Sequence, residues 1–190
     1  MELKGTQTEK NLLAAFAGES QARNRYVYAA KAAQKEGYVQ IGKIFEQTAT
    51  QEQVHAKQFF RFLKGGPLEI TATYPAGCLG TTAENLRAAA DGELEEWSQL
   101  YPAFAATARD EGFQAVARKF EEIAIAEKHH EEQYRGLLRN IEEGTVFKKD
   151  KPVVWVCQKC GWIHEGPEAP GACPACAHPQ AHFELFVETW

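Results

Sequence analysis

Two Glu-x-x-His segments, Glu52-Gln53-Val54-His55 and Glu127-Lys128-His129-His130, are the first places where residue type and spacing could do chemistry. Residues three apart share a helix face, so each segment can aim one carboxylate and one imidazole in the same direction. Glu19 and the pair Glu93 and Glu96, again three apart, add further carboxylates. One Glu from each of two helices, with Glu-x-x-His from each of two others, is the donor set of a two-metal carboxylate site. Oxygen and imidazole donors suit iron or manganese and need no thiolate. A second constellation lies near the C-terminus, where Cys157-Gln158-Lys159-Cys160 and Cys173-Pro174-Ala175-Cys176 form two Cys-x-x-Cys pairs. That spacing is a strong signal for one metal held by four thiolates, with Gly161 relieving crowding at the first knuckle. Zinc would make such a site a structural ribbon and iron would make it a one-electron carrier; the ligands alone leave both open.

The helices that must position the carboxylates can be read from apolar stripes of helical period. One stripe runs Leu12, Phe16, Glu19, Tyr26, Ala30 and another Ile41, Phe45, Thr48, Glu52, His55, Phe59, Phe62. A third runs Leu86, Ala90, Glu93, Glu96, Leu100, Phe104, and a fourth Phe113, Val116, Phe120, Ile123, Glu127, His130, Tyr134, Leu137, Ile141. Every stripe is interrupted near its middle by ionisable groups. Burying several carboxylates together is unfavourable by many kcal/mol unless cations compensate them, and Arg23 and Arg25 are too few to do so. Five carboxylates carry about −5, which two divalent ions would reduce to about −1 and two trivalent ions to about +1. His129 and Glu95 fall off the stripes and read as solvated.

These stripes predict helices over roughly 6–35, 38–64, 82–110 and 113–143, with Gly37 and Gly112 in short turns and 64–81 as a long crossover. Two helical hairpins joined by a long crossover make the ferritin-like form of a four-helix bundle. An internal repeat supports the division. Phe45 falls on Phe120, Glu52 on Glu127 and His55 on His130 without a gap, whereas Gly18-Glu19 matches Gly92-Glu93 only after a one-residue slip. The fold class expected is mainly α, a bundle over 1–147 followed by a linker and a small metal-binding domain over 148–190. Lys148-Lys149-Asp150-Lys151-Pro152 reads as the linker. Five of the eight prolines and three of the four tryptophans lie in residues 151–190. A tail of this size needs a metal or disulfides to hold a fold, and Trp155, Trp162, Phe183 and Phe186 are candidates for its core.

With 190 residues and a net charge of −5, the chain does not read as a nucleic-acid binder, whose domains are usually basic. The polar N-terminal segment lacks the apolar core of a signal peptide, and no run of about 18 apolar residues exists to span a membrane. A cytoplasmic location is the expectation. Clustered cysteines in a reducing compartment are more often metal ligands than disulfides; Cys78 stands apart as a free thiol in a loop.

Together, Glu19, Glu52-x-x-His55, Glu93-x-x-Glu96 and Glu127-x-x-His130, followed by the two Cys-x-x-Cys pairs, resemble the rubrerythrin family over nearly the whole chain. The resemblance implies two iron ions in the bundle and one iron on Cys157, Cys160, Cys173 and Cys176. It implies a peroxidase that reduces hydrogen peroxide to water in oxidative-stress defence. Electrons would come from a rubredoxin or an NAD(P)H-dependent reductase through the tail of a partner subunit in a homodimer. It further implies that Glu19, Glu96 and His55 work at the metals, that one iron shifts between Glu96 and His55 with oxidation state, and that Tyr26 and Tyr101 hydrogen-bond to the carboxylates. Two other readings stand beside it: a ferroxidase or iron-storage protein, and a non-enzymatic scaffold with a zinc ribbon.

Overall fold

The computed structural model describes residues 2–190. Five α-helices come first: α1 (Gln7–Lys35), α2 (Val39–Phe60), α3 (Thr82–Glu95), α4 (Tyr101–Asp110) and α5 (Gln114–Glu142). Then come strands β1 (Lys148–Cys157), β2 (Ile163–Glu168) and β3 (Phe183–Leu185) in an antiparallel sheet of order β2-β1-β3. α1 and α2 form one hairpin; α3 and α4, joined by a π-helical turn at Glu96–Leu100, form the other with α5.

Local chemistry sets the ends of the helices. Thr6 accepts from the Glu9 amide at the start of α1, and Thr81 and Glu84 close a reciprocal capping box at the start of α3. Both hairpin turns need a left-handed residue, supplied by Gly37 at φ +91° and Gly112 at φ +83°. In each, the next amide reaches back to the helix it leaves, Tyr38 to the Ala33 carbonyl and Phe113 to the Ala108 carbonyl. The repeat also appears as an exchange of caps. Glu36, ending α1, accepts from the Thr82 amide of α3, and Glu111, ending α4, accepts from the Thr8 amide of α1.

Two expectations are corrected here. The stretch 82–110 is not one regular α-helix, because the π-helical turn divides it. A π-helical turn takes one residue more than an α turn, and the repeat shows where that residue went. Glu19 to Tyr26 is matched by Glu93 to Tyr101, which is one position longer, so the slip lies inside the turn. Second, Lys148–Pro152 is not a linker: it forms the outer half of β1, with Lys148 paired to Glu168. The charges suit a strand end that is largely exposed.

The bundle interior is split into two apolar clusters. One contains Tyr26, Ala30, Ile41, Phe45, Leu86, Tyr134 and Leu138; the other Leu12, Phe59, Tyr101, Val116, Phe120 and Ile123. The buried carboxylates occupy the layer between them. In the C-terminal sheet Trp155 and Phe183 are buried with Cys157 and Cys173, and Phe147 and Trp162 pack against them. Phe186 instead packs on Trp190. The tail rests on the start of α2: Phe147 stacks on Tyr38, and the turn Gln180–His182 meets that helix. No helix among the described residues is long and apolar enough to cross a membrane.

Candidate metal centres

Within the carboxylate layer the donor atoms fall into two overlapping groups. Glu19, Glu52, His55 and Glu127 form one; Glu52, Glu93, Glu127 and His130 form the other, with one atom from each residue lying within 4.8 Å of the rest. Glu52 and Glu127 belong to both, and would be the carboxylates shared by two ions. His55 Nδ1 lies 2.9 Å from Glu127 and 3.1 Å from Glu52. His130 Nδ1 lies 2.8 Å from Glu127 and 3.2 Å from Glu52. Tyr26 donates its hydroxyl hydrogen bond to Glu93, and Tyr101 donates to Glu19. These two tyrosines occupy equivalent places in the repeat, and each serves the terminal carboxylate of the other half.

Glu96 stands outside both groups. It lies at the first residue of the π-helical turn and lines a cavity of about 910 Å³ between α1 and the α3–α4 segment. Residues 68–75 of the crossover roof this cavity, held there by the Tyr74 hydroxyl on the Ala14 carbonyl, and Arg25 and Tyr101 share its wall. The structure thus places His55 among the clustered donors and Glu96 outside them, on the wall of this cavity.

The donor set fits two metal ions on physical grounds. Oxygen atoms of Glu19, Glu52, Glu93 and Glu127 and Nδ1 of His130 are buried and have no hydrogen-bond partner. Stranding that many polar atoms is costly unless a cation meets them. The tail passes a comparable test. Sγ atoms of Cys157 and Cys176 are 3.7 Å apart and those of Cys160 and Cys173 are 3.6 Å apart. A tetrahedron with metal–sulfur bonds of about 2.3 Å has edges of about 3.8 Å. The knuckles match: Gly161 and Ala177, both with positive φ, send their amides back to the Cys157 and Cys173 carbonyls. Burial raises the Cys157 thiol, but the Lys159 and Cys160 amides outweigh it and bring its pKa down to about 7, toward the thiolate a metal needs.

Without metal, protons take the place of cations. Burial pushes Glu19 and Glu96 well above the ordinary 4.5, and burial with the Glu52 charge brings Glu93 to about 8. Burial alone would lower the histidines, yet the Glu127 and Glu52 carboxylates lying close to their ring nitrogens raise His55 to about 9 and His130 to about 12, from 6.5. Glu52 is the exception; histidine hydrogen bonds overcome its burial and hold it near 2, so it acts only below pH 4.5. Above that pH the folded metal-free protein binds more protons than the unfolded chain. The histidine contribution is complete below 6.5 and drains away as pH rises through about 9 for His55 and about 12 for His130, while the carboxylates progressively become buried charges. The metal-free protein is therefore expected to melt at falling temperature from about pH 5 to about pH 9. Metal loading should flatten the curve and release protons. Thermal melts across that range check this, and a metal-free curve that rises or stays level refutes it.

The sequence reading missed the π-helical turn and the half-buried Gln51, whose Oε1 lies 3.0 Å from His130 Nε2. The one-residue slip was the available signal for the first. Nothing in residue type distinguished Gln51 from surface glutamines.

Comparison with known proteins adds the following. The family model described as rubrerythrin matches residues 10–138, and that described as the rubrerythrin rubredoxin-like domain matches residues 155–184. The rubrerythrin of Porphyromonas gingivalis is 58% identical over 182 residues, 96% of this chain and 91% of the relative. That of Nitratidesulfovibrio vulgaris is 54% identical, covering 99% of this chain and 98% of the relative. Among solved structures, fully reduced, all-ferrous nigerythrin superposes with a TM-score of 0.64 at 32% identity, covering 97% of this chain and 91% of that one.

Proposed function

The chain belongs to the rubrerythrin family, with a di-iron carboxylate site and a rubredoxin-like four-cysteine site, and from that premise we propose that it is a peroxidase reducing hydrogen peroxide to water. The observation that carries this reading is the pairing, in one chain, of a buried two-metal donor layer with a four-thiolate tail. The first can take two electrons and the second can return them singly. Two ferrous ions, when bound, supply the two electrons and the Lewis acidity that cleavage of the O–O bond requires. The balance is one peroxide, two electrons and two protons giving two waters.

The chain's own residues do the rest. Glu52 and Glu127 fix the spacing of the two positions, with Glu19 and His55 completing one and Glu93 and His130 the other. Tyr101 and Tyr26 hold a hydroxyl proton against Glu19 and Glu93, which keeps those carboxylates oriented when metal charge changes. Glu96 lies at the cavity wall, where in the metal-free protein burial and the Glu93 charge favour its neutral form. As a carboxylate it would be an alternative to His55 for holding a metal at that end of the site. The apolar clusters on either side shield the layer from bulk water.

Electrons enter, on this reading, from a rubredoxin or an NAD(P)H-dependent reductase in the cytoplasm. The tail sits at the Tyr38 end of α2, whereas Glu52 lies about 20 Å further along that helix at ~1.5 Å per residue. A tail so far from its own carboxylates is better placed to serve a second copy, which favours a homodimer as the working unit. The test is rapid mixing of the anaerobically reduced protein with peroxide and, separately, with dioxygen, following the colour of the cysteine-bound iron. Faster return of colour with peroxide is expected. Colour that returns only with dioxygen, alongside a growing iron core, would replace this reading with a ferroxidase.

A further inference from the structure

The π-helical turn at Glu96–Leu100 closes with the Tyr101 amide on the Glu96 carbonyl. Its far end is pinned by the Tyr101 hydroxyl on Glu19, and its near end carries Glu96 on the cavity wall. Such turns are rare in helices, and the near end of this one is held from outside. Trp97, the second residue of the turn and half-buried, donates its indole N–H to Glu131 Oε2 on α5 at 3.2 Å. The Lys128 ammonium lies 5.5 Å from the Trp97 ring centroid. The other Glu131 oxygen accepts from Arg135 Nε at 3.1 Å, and Arg135 Nη2 donates to Asp91 of α3 at 2.8 Å. Asp91 is 62% exposed, where an ion pair contributes little. Glu131 is only 15% exposed, and the charge-assisted bond it accepts from the indole is the strong member of the set. The repeat links this set to the turn. The register that puts Glu52 on Glu127 puts Ala56 on Glu131 and Phe60 on Arg135, and the register that puts Glu19 on Glu93 puts Ala17 on Asp91. The half of the bundle without a π turn has none of these anchors.

We infer that Trp97 is a positioning residue: clipped to Glu131, it holds the near end of the π-helical turn against α5 and so keeps Glu96 on the cavity wall. With Tyr101 pinned to Glu19, a turn that relaxed to α geometry would break the bond from the Tyr101 amide to the Glu96 carbonyl. It would also shift Glu96 by one position, which is a rotation of about 100° around the helix axis.

Amide hydrogen exchange in the zinc-loaded protein tests this without any turnover, because it reads local opening. Trp97→Phe keeps a ring under Lys128 but loses the indole donor. It should speed exchange of the Tyr101 amide about tenfold, leave α2 amides at the parent rate, and still bind two zinc ions in the bundle, since Glu96 lies in neither donor group. Glu131→Ala should do the same, and Glu131→Gln, which keeps an oxygen for the indole, should restore slow exchange. A Tyr101 amide that stays slow in both Trp97→Phe and Glu131→Ala overturns the inference. Exchange that quickens equally along α2 makes Trp97 a general stabiliser and overturns it too. A second arm rests on the peroxidase reading. In the reduced, iron-loaded protein, Trp97→Phe should slow oxidation by peroxide, and adding it to Glu96→Ala should slow that variant no further. Losses that multiply would show that Trp97 does not act through Glu96. A Glu96→Ala variant at the parent rate would instead fault the part given to Glu96 in peroxide reduction, and leave the exchange result standing for Trp97.

Discussion

Replacing Cys160 by Ser should abolish turnover driven by a reductase while leaving the chemically reduced bundle able to react with peroxide once, at the parent rate. The reason is separation. The Cys160 sulfur faces Cys173 at 3.6 Å in the tail, whereas the donors that would meet peroxide lie in the bundle. Loss of one thiolate alters or empties the cysteine site without touching that layer. The tail core contains Trp155 and Phe183, so near-ultraviolet circular dichroism shows whether it remains folded, and Cys173→Ser provides a second route to the same lesion. Steady-state consumption of reduced nicotinamide cofactor, set beside stopped-flow oxidation of the reduced bundle, gives the comparison. If reductase-driven turnover survives both substitutions, the tail is not the conduit.

The second large effect concerns Glu127. It reaches both metal positions, whereas Glu93 reaches one. Glu127→Gln preserves shape and hydrogen-bonding capacity but removes the charge shared by both ions. It should bind neither ion under conditions where Glu93→Gln still binds one. Anaerobic ferrous titration reads the stoichiometry. Thermal stability reads the energy: at metal a hundredfold above its dissociation constant, the parent gains about 2.7 kcal/mol per site, and Glu127→Gln should gain close to nothing. A variant that still takes two ions would show that Glu127 bridges neither.

How much of this was readable beforehand depends on whether a residue breaks a pattern. Glu19, Glu52, Glu93 and Glu127 interrupt apolar stripes, and a buried carboxylate without a cation is so unfavourable that the interruption itself points to a ligand. The bundle was legible for the same reason: its stripes are long and keep one period. Glu96 was harder, because a glutamate three residues past another also suits a wet helix face; the structure puts it at a cavity wall, half-buried. The strand at Lys148–Pro152 escaped because charges and a proline resemble a linker, and only pairing with Glu168 makes that stretch part of a sheet. Gln51 escaped because its partner is 79 positions away in the chain, and no local pattern encodes such a contact.

The π-helical turn at Glu96–Leu100 has a historical meaning. If the two hairpins descend from one duplicated ancestor, the ancestral pair was symmetric, and its site would have treated both metals alike. A single inserted codon in the later copy would lengthen Glu93–Tyr101 by one residue over Glu19–Tyr26. The helix absorbed it as a π turn and kept Tyr101 in register with its ancestral role. The residue that opens that turn is Glu96, the carboxylate for which the other copy has only Ala22. On this view the difference between the two ends of the site entered the lineage with an insertion of the smallest possible size, and the distortion it left in the backbone is still its record.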